Sequence, residues 1–339
     1  MGRIVFVIFF FSGGSSLILE TLWIRLLTLV FGSTTFAIST VVAAFMGGLA
    51  LGSYLIGRFA DEIRRPFLLY GLCEGAIGLY ALLLPVILDR IPALLAPLWS
   101  AEGQSFYVLS LIRFGVVFLL LLIPTTLMGG TLPLLSTCRV IQRREIGATV
   151  GTLYAVNTFG AIAGTAICGF LLLPVIGVST TNLLAAGIDL ALCALVVALR
   201  RLETDLPRGV EGAQGVAPTV EGVGRPPSYP YVAAAFALSG FAALIYQIVW
   251  SRSLTLVIGS SIYAYTILLT TFLVGLALGS AVYVRRHLSD PDPIGNLAMI
   301  QLLIGLFGFA GLRFIDRLPA LFLLLLQFFS LSVPVAFLL

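Results

Sequence analysis

Six polar side chains stand where the chain is otherwise apolar. Glu20 and Glu74 lie in LILETLWI and LYGLCEGAIG, Asn157 in LYAVNTFG and Asp189 in LLAAGIDLALC, while Gln247 and Gln301 lie in ALIYQIVW and LAMIQLLIG. A carboxylate at the centre of a membrane span costs about 2.5 to 3.5 kcal/mol on insertion scales, so each asks for a partner, a proton or a wet cavity. In such surroundings Glu20, Glu74 and Asp189 can hold an amine or exchange protons. A second reading stays open beside this one: Glu20 pairs with an arginine, and Glu74 and Asp189 are protonated or hydrogen-bonded between helices. Arg113, about eight residues into its own apolar run, is a partner for Glu20 or Glu74 in either case. No catalytic residue is assigned. The sequence has no strand, Gly-rich loop and helix unit with an acid downstream, and the tandem Gly129-Gly130 sits inside an apolar helical run. Cys73, Cys138, Cys168 and Cys193 are scattered singly without CxxC spacing, which points to neither a metal site nor a disulfide framework, and no cofactor is called for.

The elements that position these residues follow from composition. Of the 339 residues 60% are hydrophobic and 10% charged, with a mean hydropathy of +1.11. A soluble globule carries about 25% charged residues, so the expected class is an all-α polytopic membrane protein. A span needs about 20 mostly apolar residues. Runs of that kind cover residues 4 to 30, 35 to 57, 67 to 88, 105 to 134, 148 to 175 and 179 to 199, then 231 to 257, 262 to 284, 294 to 313 and 319 to 339. The expectation is ten transmembrane helices, six in a first half (1-200) and four in a partial second half (231-339). Between them residues 201-230, rich in Gly, Pro and charge, read as a cytoplasmic linker.

The two halves share a repeated stretch. Residues 12 to 53 and 239 to 280 align at an offset of 227 with twenty of 42 positions identical, among them Trp23/Trp250, Arg25/Arg252, Gly32/Gly259 and Phe45/Phe272. At the same offset Glu20 faces Gln247 and Glu74 faces Gln301, so the first half keeps a carboxylate where the second has a neutral amide. A period this long marks a duplicated half rather than a solenoid. The second copy stops early, which reads as a C-terminally truncated repeat. Gly48 and Gly52, with their copies Gly275 and Gly279, form small-xxx-small strips suited to close helix packing or sliding. Trp23, Arg25, Trp250 and Arg252 are expected at the membrane interface, where aromatic rings and snorkelling arginines anchor helices. Pro124 and Pro133 bracket a stretch where a helix can kink.

All 19 basic residues are arginine, and they crowd the segments that are cytoplasmic if the N-terminus is inside, including Arg3, Arg58, Arg64, Arg65, Arg139, Arg143, Arg144, Arg200 and Arg201. Arg90, Arg313 and Arg317 are left outside. The bias assigns a cytoplasmic N-terminus and a location in the cell (inner or plasma) membrane. It is a membrane-orientation pattern, with no aromatic-interleaved basic patch for nucleic acid.

Two halves related by parallel duplication describe the architecture of major facilitator transporters. Gly57-Arg58-Phe59-Ala60-Asp61 followed by Arg64-Arg65-Pro66 sits where that superfamily carries its Gly/Asp/Arg loop. The repeated stretch, the segment IPTTLMGGTLPLL (residues 123 to 135) and GTLYAVNTFGAIAGTAICGFLLLPVIG (residues 151 to 177) together resemble the membrane region of fused major-facilitator/spermidine-synthase-like proteins. The resemblance covers nearly the whole chain apart from the linker. It implies a membrane domain that binds or moves a small cationic metabolite such as a polyamine, or else one that anchors a soluble aminopropyltransferase domain and moves nothing. That soluble domain is absent from this sequence. The expected partners are the bilayer, a small cation and that domain.

Overall fold

The computed structural model describes residues 2–31, 34–99, 106–138, 146–200, 229–259, 261–287, 293–315 and 317–328. Among them every regular element is helical. The helices are α1 (Gly2–Phe31), α2 (Thr34–Phe59), α3 (Pro66–Trp99), α4 (Phe106–Ser136), α5 (Ile146–Ile167), α6 (Leu173–Leu199), α7 (Tyr229–Ile258), α8 (Ser261–His287), α9 (Pro293–Ile315) and α10 (Leu318–Phe328). A 3₁₀ turn, Ala60–Glu62, links α2 to α3, and a π-helical turn, Cys168–Leu172, links α5 to α6. Among the described residues eight helical stretches are long and apolar enough to cross a membrane. One of them, Val150–Leu199, has 50 residues, or about 75 Å at 1.5 Å per residue, more than twice the hydrocarbon core. It breaks at Gly177, whose φ of 73° and ψ of 176° lie where a Cβ is disfavoured. The linker expected over residues 201-230 falls almost wholly outside the described residues, as do positions 329 to 339 of the tenth expected span.

The chain divides into two compact units, Met1–Ala217 and Pro218–Leu339. In the first unit the main helix pairs are α1 with α5, α2 with α4 and α3 with α6, followed by α3 with α4 and α1 with α6. Exchanging α1–α3 for α4–α6 leaves this set of pairs unchanged. Lipid offers no hydrophobic drive for helices to associate, so close packing of small residues must hold them. Each of the three main pairs has a glycine seam. A Cβ on Gly52 would strike the Thr126 carbonyl and one on Gly129 the Leu49 backbone, joining α2 to α4. Gly160 meets the Phe10 carbonyl and Gly164 that of Gly14, joining α1 to α5, while Gly71, Gly75 and Gly78 lie against Val196, Cys193 and Asp189 across α3 and α6. One core cluster gathers Phe9, Phe67, Tyr70, Leu134, Leu153 and Val196 from α1, α3, α4, α5 and α6. Apolar side chains such as Val7, Leu83, Leu119 and Val175 point outward.

Helix α4 runs through both Pro124 and Pro133. Proline 124 has no N–H to offer the carbonyl four residues back, and the Tyr80 hydroxyl of α3 donates to that Leu120 carbonyl at 2.9 Å instead.

In the second unit α7 packs on α8 and touches α9 and α10. The offset of 227 carries the start of α1, α2 and α3 onto the start of α7, α8 and α9. The glycine environments differ. Among the described residues nothing lies within 4 Å of a Cβ built on Gly240, Gly275, Gly279 or Gly305, whereas their counterparts Gly13, Gly48, Gly52 and Gly78 are all closely covered. A Cβ at Gly48 or Gly52 thus meets α4, whereas Gly275 and Gly279 are open among the described residues.

Candidate functional site

Three helices of the first unit bring polar side chains to one buried place. On α1, Ser12 and Ser15 are three residues apart and so share a face. Ser12 Oγ donates to Glu74 Oε1 on α3 at 2.6 Å, and Ser15 Oγ donates to the Ala185 carbonyl on α6 at 3.1 Å. Asp189 stands one turn beyond Ala185 and is an electrostatic neighbour of Glu74 and Ser15. Tyr70 stands one turn before Glu74, held by an edge-on contact with Phe9 and a stacked one with Phe67 at 6.3 and 6.5 Å between centroids. Its hydroxyl faces Ser12 and Glu74 but lies outside hydrogen-bond geometry to either. Ser12, Ser15, Tyr70, Glu74 and Asp189 are all at most 3% exposed. The helices come this close because α3 carries glycine on the facing side: a Cβ at Gly78 would sit 2.9 Å from the Ala186 carbonyl and 3.0 Å from Asp189 Cβ.

The cluster is rich in oxygen and incompletely satisfied. Asp189 Oδ2 and Tyr70 Oη are buried without a hydrogen-bond partner among the described residues. Buried polar atoms of native proteins are nearly always paired, with protein, water or an ion, so an orphaned acceptor beside a second carboxylate is a place where something positive can sit. Further along the same interface Asn182 Nδ2 donates to the Ala81 carbonyl at 2.8 Å, and its Oδ1 is left over.

The second unit repeats one of these bonds. Gln301 Nε2 donates to Ser239 Oγ at 2.7 Å, and these residues are Ser12 and Glu74 shifted by 227. The geometry recurs with the donor reversed: serine gives its proton to a carboxylate in the first unit and accepts one from an amide in the second.

The remaining expected site residues fall elsewhere. Glu20 is fully buried on α1, and Gln247 is buried on α7 with Nε2 unpartnered among the described residues. Asn157 is half-buried on α5, its carbonyl and side-chain oxygens filling the place of a Cβ on Gly13. Arg113 is half-buried on α4. Asp61 lies in the 3₁₀ turn, and Arg64 and Arg65 are exposed just before α3. Arg25 is half-buried and Arg252 exposed. Trp23 departs from the interfacial expectation: its side chain is wholly enclosed by protein, which a headgroup anchor is not, whereas Trp250 helps line an apolar groove of about 470 Å³ with Tyr246, Ile300, Leu303 and Phe307. That groove offers no carboxylate to a cation. Ser12, Ser15 and Tyr70 were not singled out from sequence, although Ser12 and Ser239 are identical positions of the repeat and each precedes its acid or amide by 62 residues.

The chain is similar to a polyamine aminopropyltransferase of Corynebacterium efficiens, 29% identical over 199 residues, which are 57% of this chain and 34% of that protein. The match thus spans about a third of the relative's length. No family model matches the chain, and no solved structure matches it.

Proposed function

We propose that this chain is the membrane domain of a spermidine-synthase-like protein and that its acidic first unit binds a small cation. The observation that carries the reading is the asymmetry of the buried positions: Glu20, Glu74 and Asp189 are enclosed within spanning helices of the first unit, and the repeat counterparts of the first two are the amides Gln247 and Gln301. Carboxylates inside a membrane helix are costly and mark ion or substrate paths. The recurrence of helix starts and of the Ser12–Glu74 bond at an offset of 227 supports a duplicated, major-facilitator-like architecture. In this reading the chain crosses the cell membrane ten times from a cytoplasmic N-terminus, with the 50-residue stretch counted as two crossings and residues 319 to 339 as the tenth. The name of the Corynebacterium relative adds polyamine chemistry, which makes a polyamine the cation to test.

A second reading, a membrane anchor for a soluble aminopropyltransferase domain, is favoured by the enclosure itself. Glu74 is bonded between α1 and α3, and no one of the three carboxylates is more than 1% exposed, so a polyamine reaches them only if the glycine seams part. The test is saturable binding of labelled spermidine to the purified chain in detergent, with Glu20→Gln and Glu74→Gln compared with the unaltered protein. Binding that is lost in either variant supports the cation reading. Absence of binding in a folded chain refutes it and leaves the anchor.

A further inference from the structure

We infer that the Ser12–Ser15–Tyr70–Glu74–Asp189 cluster is a binding site for a small, hard inorganic cation, sodium or calcium, and that a polyamine does not enter it. This rests on the proposed function only in using the same acidic unit, and it holds for an anchor as well as for a transporter.

The first line of argument is charge. Two neighbouring carboxyls within apolar helices need a proton or a positive counter-charge, because burial removes the water that would otherwise stabilise their charges. Among the described residues Glu74 Oε1 accepts a hydrogen bond from Ser12 Oγ, and Asp189 Oδ2 has no hydrogen-bond partner. The second is the comparison the molecule makes with itself. At the matching place in the second unit a serine–amide bond holds the helices together without any charge. Packing at this spot therefore does not require a carboxylate, and the acid in the first unit needs another explanation.

The third is donor type. Two carboxylates, the hydroxyls of Ser12, Ser15 and Tyr70 and the Ala185 carbonyl are all oxygen. An all-oxygen set suits cations that accept hydroxyl and carbonyl ligands rather than thiophilic or imidazole-seeking metals. The Tyr70 hydroxyl, wholly buried and unpartnered at the edge of the pair, is a ligand in waiting. The fourth is size. Gly75 and Gly78 bring α6 so near α3 that a single Cβ would collide, which leaves no room for an alkyl chain.

The test is thermal unfolding of the purified full chain in detergent at one pH and one ionic strength, in sodium, potassium, calcium or choline chloride. Release of the buried Cys73, Cys138 and Cys168 thiols to a maleimide dye reports unfolding. A saturable rise of Tm in sodium or calcium over choline is expected, lost in Asp189→Asn and Glu74→Gln. Glu74→Gln recreates the chemistry of the second unit and so keeps a hydrogen bond to Ser12. Tyr70→Phe, which removes one hydroxyl from an otherwise unchanged ring, should weaken the response without abolishing folding. Equal Tm values in all four salts overturn the site, as does a shift that survives Asp189→Asn. Spermidine binding on the same preparations separates the two claims: a metal-dependent shift without spermidine binding upholds this site and refutes the polyamine role, and spermidine binding with no salt dependence does the reverse.

Discussion

The GLALG strip occurs twice, and alanine at its last glycine should act differently in the two copies. At Gly52 a new Cβ would land on the Thr126 carbonyl oxygen, with that carbonyl carbon at 2.8 Å and Gly130 N at 3.0 Å. These are backbone atoms and cannot rotate aside, so α2 and α4 must move apart along the whole seam from Gly48 to Gly130. Overpacking of this kind costs about 1 to 3 kcal/mol. At Gly279 nothing lies within 4 Å among the described residues, so the Cβ meets no resistance. Alanine also favours a helix over glycine by about 0.8 to 1.0 kcal/mol at both positions, and that gain cancels when one variant is subtracted from the other. Gly52→Ala should therefore be the less stable of the two by about 1 to 3 kcal/mol, with Gly279→Ala at or above the unaltered protein. Unfolding of both variants by a graded exchange of mild detergent for dodecyl sulfate, followed by loss of helical circular dichroism, reads the difference. Equal midpoints, or a larger loss at Gly279, would refute the assignment of the α2–α4 seam as the tighter one.

Three further substitutions probe other devices of the fold. Ser12→Ala strips the Glu74 carboxylate of the Ser12 hydroxyl donor and should cost about 1.5 to 3 kcal/mol, against about 0.5 to 1.5 kcal/mol for Ser239→Ala, where only a neutral amide loses its acceptor; the same detergent titration measures both. Tyr80→Phe leaves the Leu120 carbonyl unpaired in hydrocarbon and should destabilise by about 1 to 2 kcal/mol. In a Pro124→Ala background the restored backbone N–H takes that carbonyl, so the penalty should vanish in a double-mutant cycle, and a penalty that persists would show that Tyr80 acts otherwise. Gly177→Ala places a Cβ at a φ of 73° and ψ of 176°, which costs about 1 to 3 kcal/mol; a lower Tm is expected, and an unchanged one would mean that the break within the first turns of α6 relaxes.

Some of this was legible in the sequence, and the reason differs from feature to feature. The helices were, because an apolar run of spanning length has few alternatives: the expected start at residue 4 meets α1 at Gly2, and 105 meets α4 at Phe106. Helix pairing was not. Gly52 announces a close approach, but nothing in its neighbourhood names Thr126 as the residue approached, since a glycine records the need for room and not its occupant. Trp23 failed for a related reason. Depth along a helix can be counted from its end, whereas the direction a side chain faces depends on which neighbours surround the axis, and α1 is enclosed by α2, α3, α5 and α6. Glu74 and Asp189 were recognisable singly as expensive residues, yet they are 115 positions apart and only α1, with serines that look ordinary in any helix, makes them one site. The offset of 227 was the stronger clue. It relates Ser12–Glu74 to Ser239–Gln301, two bonds of nearly the same length with opposite direction. When a fold preserves a contact and varies only its charge, the contact explains the packing and the charge is left to explain the function.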